Sequence, residues 1–153
     1  MKRLLLISLS ILIAASARGA DAEKKPVDAA AELTALSGTW VMAASEDDGQ
    51  KMPAEDLKKL DIRLTLKDGK YAVQTAGETT EQGAFTIDAA QKLKAVDIVP
   101  ADGPMKDRKI QAIYVRDGEK LMLCYDLSGK TRPSDFSAKA GSGFFLAVYS
   151  KAN

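Results

Sequence analysis

The sequence predicts an all-β fold, an eight-stranded antiparallel up-and-down barrel with one or two short helices. From Asp61 onward, apolar and polar residues alternate with the period of two that strands require. Asp-Gly pairs at 68–69 and 117–118 are typical of two-residue hairpin turns. Eight short segments of this kind follow one another, and closing them into a barrel removes exposed sheet edges. A two-sheet sandwich is the alternative.

The chain begins with the pattern of a signal peptide, which we predict over residues 1–22. Two basic residues precede an apolar run at 4–15 that is too short to span a bilayer, and small residues follow. Cleavage after Ala17 or after Ala22 both fit, and an uncleaved anchor is the alternative. We therefore expect an exported protein, periplasmic or secreted, with no stable membrane insertion after cleavage.

The organisation that follows is a lead-in with a short helix at 23–35 and a barrel domain at 36–153. Asp28 is a suitable cap for a helix over 29–36, and Pro53 is allowed in the first turn of a second helix over 54–60. The eight predicted strands are 39–45, 62–67, 70–75, 81–87, 94–99, 109–116, 119–127 and 144–150.

The first Asp-Gly turn fixes a hairpin in which Leu64 faces Val73 and Leu66 faces Tyr71, so these side chains share one apolar face. The second turn places Arg116 opposite Glu119 on the same reasoning.

In that second hairpin, Tyr114 faces Leu121, and Leu123 and Tyr125 follow on the same side. The reverse face carries Ile113 opposite Met122. These two apolar residues need a cover, either a short helix or a protein partner at an exposed patch.

Composition argues against several functional classes. The 153 residues carry a net charge of +1 and few aromatics, so we expect no nucleic-acid binding. The chain has no histidine, which removes the commonest general base and metal ligand, so we predict no enzyme, metal or cofactor. The carboxylates at 46–48 lack the spacing of a calcium loop. Cys124 lies in an apolar run, which favours a buried, inert thiol over a bond between chains.

Gly38-Thr39-Trp40, at the start of the first strand, resembles the Gly-x-Trp motif of lipocalins. There the tryptophan lies across the closed end of the barrel, and an arginine from late in the chain packs over it. The resemblance implies that Trp40 closes this barrel and that Arg132 is its cationic partner. We expect Phe136, from the same late loop, to fill the barrel end. A ligand contact at the barrel mouth is the alternative for this loop.

A closer resemblance covers nearly the whole mature chain. It is to the lipocalin-like domain family common in planctomycete-type bacteria, whose members are mostly exported and of unknown function. The resemblance implies a fold and supplies no catalytic residues. The motifs that support it are LSGTW, P-x-E-x-L-K-K-L, Lys70-Tyr71, Gly83-x-Phe85, Gly103-Pro104, Ile113-Tyr114, L-x-L-C-Y, Arg132-Pro133 with Phe136, and Gly141-Ser142-Gly143.

These features together predict an exported lipocalin-like binding module without catalytic activity, for a small apolar or amphipathic ligand. The alternative is a solid barrel that serves as a protein-interaction or structural module of the cell envelope, through the Ile113/Met122 face or the loop 128–143. The sequence names no protein partner. The predicted cavity-lining residues are Leu64, Tyr71, Val73, Tyr114, Leu123 and Tyr125.

Overall fold

The structure, a computed structural model, describes residues 28–153. The predicted signal peptide and the lead-in up to residue 27 lie outside this part of the chain. The helices are α1 (Ala29–Leu36) and α2 (Ala54–Leu60). The strands are β1 (Gly38–Asp47), β2 (Gln50–Lys51), β3 (Arg63–Lys67), β4 (Lys70–Thr75), β5 (Glu78–Asp88), β6 (Ala95–Pro100), β7 (Ile110–Asp117), β8 (Lys120–Asp126) and β9 (Phe144–Lys151).

The strands form a closed antiparallel barrel, as predicted. β1 and β3 to β9 each pair with their neighbours in chain order, and β1 also pairs with β9. A β-bulge between Met42 and Ala44 lies within this closing pair. Strand β2, which was not predicted, has two residues and pairs only with the end of β1. All eight predicted barrel strands are present within a few residues of their expected bounds.

The first hairpin has the predicted register, with Leu64 opposite Val73 and Leu66 opposite Tyr71. Asp68 and Gly69 both have positive φ angles, as a type I′ turn requires. This turn therefore sets the inward face of β3 and β4.

In the second hairpin, the predicted register is wrong by two residues. Asp117 is still in the strand and pairs with Lys120, so Gly118 and Glu119 form the turn. Gly118 has φ +57° and no positive φ occurs at Glu119, as in a turn with glycine at its first central position. The predicted Arg116–Glu119 pair is therefore wrong. A shift of two leaves every side chain on its expected face.

Helix α1 packs at one end of the barrel, which we call the closed end. Asp28 accepts a hydrogen bond from the backbone of Ala30 at 3.0 Å and so caps the first turn, as predicted. Leu36 is buried in the core and Leu33 packs against it. Helix α2 packs against β1 and buries Leu57. Both predicted helices are thus present, with the predicted bounds.

Most of the long segment between β8 and β9, residues 127–143, lies on the outside of the barrel. Arg132 donates from Nη1 to the carbonyl oxygens of Ala112 (2.6 Å) and Val96 (3.2 Å), and from Nη2 to the Asp97 carboxylate. Lys109 forms an ion pair with the same carboxylate. Burial acts to raise the pKa of Asp97, but these two cations outweigh it and hold that pKa below its ordinary value.

This segment, rather than a helix, covers Ile113. The side chain of Ile113 is buried and lies beside Arg132 and Pro133. Met122, on the same outer face, is half-buried and pairs with Val115 instead of Ile113. The face that the solid-barrel alternative needs for a partner is therefore partly occupied by the chain itself.

Candidate ligand-binding cavity

The barrel encloses a cavity of about 130 Å³ lined mainly by apolar side chains. Helix α1 lies at one end of it, and the loops that carry Met105 and Leu127 contribute to its lining at the other end, the mouth. The six residues predicted to line a cavity all do so: Leu64, Tyr71, Val73, Tyr114, Leu123 and Tyr125.

All four tyrosines of the chain line this cavity. Three were predicted. The fourth, Tyr149, was missed although it alternates with Ala147 and Phe145 along β9 and so shares their inward face. Burial raises the pKa of Tyr125 and Tyr149 well above that of an ordinary phenol. Both hydroxyls therefore stay protonated at neutral pH and act as neutral donors and acceptors.

Glu81 is the one charged residue among those that line the cavity, and the sequence analysis did not single it out. It lies on β5 opposite Val73 and alternates with Gly83 and Phe85, which places it on the inward face. The Tyr71 hydroxyl donates a hydrogen bond of 2.6 Å to Glu81 Oε1. Burial, then this bond and the negative charge, raise the pKa of Tyr71 above its ordinary value.

Gly83 makes room for the ring of Tyr71. A Cβ at Gly83 would lie 2.8 Å from Tyr71 Cε1 and 2.2 Å from the carbonyl oxygen of Val99. No side chain larger than hydrogen fits there without movement of the β6 backbone. The position of the Tyr71 ring, and so of its hydroxyl at Glu81, depends on this glycine.

Trp40 closes the core at the α1 end, as predicted, but its cationic partner is Lys151 and not Arg132. The Trp40 side chain is fully buried, and its Nε1 donates to the carbonyl oxygen of Leu36 at 2.8 Å. Lys151 Nζ lies 4.4 Å from the Trp40 ring centroid and also donates to the carbonyl oxygen of Ser37. Arg132 is instead bound to β6 and β7 on the barrel exterior, as described above.

Tyr114 connects the cavity to α1. Its hydroxyl donates to Glu32 Oε1 at 3.3 Å, and Lys94 Nζ pairs with the same oxygen at 2.7 Å. Lys94 Nζ also lies 5.9 Å from the Tyr114 ring centroid. The Tyr114 hydroxyl therefore has a protein partner, the Glu32 carboxylate.

The prediction that Phe136 fills the barrel end is wrong. Phe136 is half-buried and belongs neither to the core cluster nor to the cavity lining. The segment that carries it is bound to the outside of the sheet through Arg132, which keeps it away from the barrel interior.

Cys124 is fully buried on the outer side of β8, where its Sγ lies 3.7 Å from the carbonyl oxygen of Ser137. Burial raises the pKa of its thiol, which disfavours the reactive thiolate. Within residues 28–153, no group of three or more cysteine, aspartate or glutamate side chains is arranged to hold a metal ion.

No protein-family model matches the chain, and no curated protein matches it. Among the described residues, no helix has the length and hydropathy needed to cross a membrane. Membership of the lipocalin-like family stays a prediction that rests on the motifs in the sequence.

Proposed function

We propose that this protein is a non-enzymatic binding module that holds a small apolar or amphipathic molecule inside its barrel. The cavity of about 130 Å³, lined by apolar residues and four tyrosines, is the observation that supports the proposal. Sites for small molecules in proteins have this make-up, an apolar lining with a few placed polar groups.

The cavity volume limits the size of the enclosed part of the ligand. An engineered apolar cavity of about 150 Å³ in another protein binds benzene. The barrel cavity, about 130 Å³, is close to that size, so the enclosed part of the ligand is about as large as a benzene ring. A longer molecule would place its remainder at the mouth, beside Met105 and Leu127.

The polar groups of the cavity are suited to binding rather than to catalysis. An ordinary phenol is already protonated at neutral pH, and burial raises the pKa values of these tyrosines further, which disfavours the phenolate. A phenol that does not ionise is a poor general base and a poor nucleophile, but it is a good hydrogen-bond partner.

We also propose that the protein works outside the cytoplasm. The signal-peptide pattern over residues 1–22 and the resemblance to a mostly exported family support this location. A pulse-labelled culture fractionated into cytoplasm, envelope and medium tests it, with the shorter mature form expected outside the cytoplasm.

Calorimetric titration with 2-phenylethanol, a neutral probe with a benzene ring, tests the binding proposal. We expect saturable one-to-one binding to the wild-type protein. Val73→Phe adds a ring to the cavity wall and should weaken binding at least about tenfold, since the probe loses the space it occupies. Val99→Phe is the matched control, because Val99 faces outward and is 37% exposed. Equal affinity in all three proteins would contradict a site in the barrel.

A further inference from the structure

The cavity has an unbalanced charge. Glu81 brings the only carboxylate among its lining residues, and no lysine or arginine lines it. Oε1 of Glu81 accepts the bond from Tyr71, whereas Oε2 has no hydrogen-bond partner within residues 28–153. Glu81 is half-buried and Oε2 is not among the buried unpartnered atoms, so this oxygen is open to a group bound in the cavity.

Two exposed carboxylates also act weakly on tyrosines of the cavity. Asp102 acts on the hydroxyl of Tyr71, and Asp47 acts on that of Tyr125, each in the direction that opposes ionisation. At the closed end, Lys94 is paired with Glu32, and Lys151 lies over the Trp40 ring.

Arg116 also belongs to that end. Its Nη1 donates to the carbonyl oxygen of Gly118, and its charge acts on Tyr114. Lys94, Arg116 and Lys151 therefore lie near α1, and none of them lines the cavity.

Two tyrosine hydroxyls remain without a protein partner. Tyr149 is only 4% exposed, yet its hydroxyl makes no hydrogen bond to any atom of the described chain. The Tyr125 side chain is half-buried, its ring lies 5.3 Å from that of Phe145, and its hydroxyl also makes no hydrogen bond to the described chain. The charge of Glu81 contributes to the raised pKa of each of these two tyrosines. Neither hydroxyl oxygen is among the buried unpartnered atoms of the described residues, so both are open to the cavity, and the cluster is suited to a bound polar group.

We propose that this cluster, Glu81 with Tyr71, Tyr125 and Tyr149, binds the ammonium group of a small amine whose apolar body fills the cavity. An ammonium group has three donors and no acceptor. It matches the free oxygen of Glu81 and the acceptor oxygens of Tyr125 and Tyr149. The tyrosine rings add favourable faces for a cation. The inference rests on the proposed binding function and specifies the chemical class of the ligand.

A charge series of one ring size tests the inference by calorimetric titration. The probes are 2-phenylethylamine, 2-phenylethanol and phenylacetate, which are cationic, neutral and anionic at pH 7. We expect the amine to bind about ten- to a hundredfold more tightly than the alcohol, the range that a charge-assisted hydrogen bond supplies. Phenylacetate should bind most weakly, because its charge repels Glu81.

Glu81→Gln keeps the shape of the side chain and removes its charge. In this variant the affinity for the amine should fall to about that for the alcohol, while the affinity for the alcohol changes less than about threefold. Glu78→Gln, at an exposed position of the same strand, is the matched control and should keep the wild-type preference.

The results separate the two proposals. If the alcohol binds but the amine binds no more tightly, the amine inference is wrong and the binding function stands. A preference for the amine that persists in Glu81→Gln also overturns the inference. If no probe binds the wild-type protein, both proposals fail.

Discussion

Replacing Lys151 by methionine tests the assignment of the cation that covers Trp40. Methionine keeps an apolar stem of similar length but removes the charge. The change removes a cation–π contact, worth up to about 2 kcal/mol when shielded from water. It also removes a charged hydrogen bond to Ser37, worth about 1.5–3 kcal/mol. Because Lys151 is partly exposed, we expect a loss of about 2–3 kcal/mol in the free energy of unfolding.

Urea unfolding followed by tryptophan fluorescence measures this loss. Trp40 is the only tryptophan, so the emission reports directly on the site of the change. We expect the midpoint of Lys151→Met to fall by roughly 1–2 M urea, with a changed native emission. Lys120→Met, at an exposed position of β8, is the control and should change stability by less than about 0.5 kcal/mol. The reasoning is refuted if Arg132→Met alters the native emission of Trp40 and Lys151→Met does not.

Three further substitutions or modifications have defined outcomes. Gly83→Ala places a Cβ 2.2 Å from the carbonyl oxygen of Val99, so we expect a loss of about 1–3 kcal/mol, measured by urea unfolding. Asp97→Asn should remove about 1–3 kcal/mol at neutral pH, because the carboxylate binds Arg132. The pKa of Asp97 is lowered in the folded protein, so its carboxylate stabilises the fold above the unfolded pKa of about 4. The difference in unfolding free energy between wild type and Asp97→Asn should therefore be complete above about pH 4 and disappear as the pH falls through the lowered folded pKa. Equal acid sensitivity of the two proteins would contradict this role of Asp97. The Cys124 thiol should react with a thiol reagent only at the rate of unfolding, and fast labelling of the native protein would contradict its burial.

The inward faces of the barrel were predictable because successive side chains in a regular strand alternate between the two faces of the sheet. The register of the second hairpin was wrong by two residues, yet Tyr114, Leu123 and Tyr125 were still assigned to the interior. A one-residue error would have moved all three outward. Alternation of apolar residues therefore predicted the cavity wall more reliably than the turn predicted the pairing.

The long-range polar contacts were not predictable in the same way. Whether Arg132 or Lys151 reaches Trp40 depends on the path of the segment 127–143 and on the end of β9, and neither follows from local sequence. Glu81 was missed because a charged residue in a strand normally indicates the solvent face. Its inward position follows only from the alternation with Gly83 and Phe85 on β5.

If the barrel cavity holds a small molecule, the protein should still carry that molecule when it is isolated. Native mass spectrometry of the mature protein purified from its own host, compared with the same sample after denaturation, tests it most directly. We expect a discrete extra mass that is present in the folded protein and leaves on unfolding. Fragmentation of the released species would then show whether it contains an amine. The same bare protein mass before and after unfolding would contradict binding in the cavity.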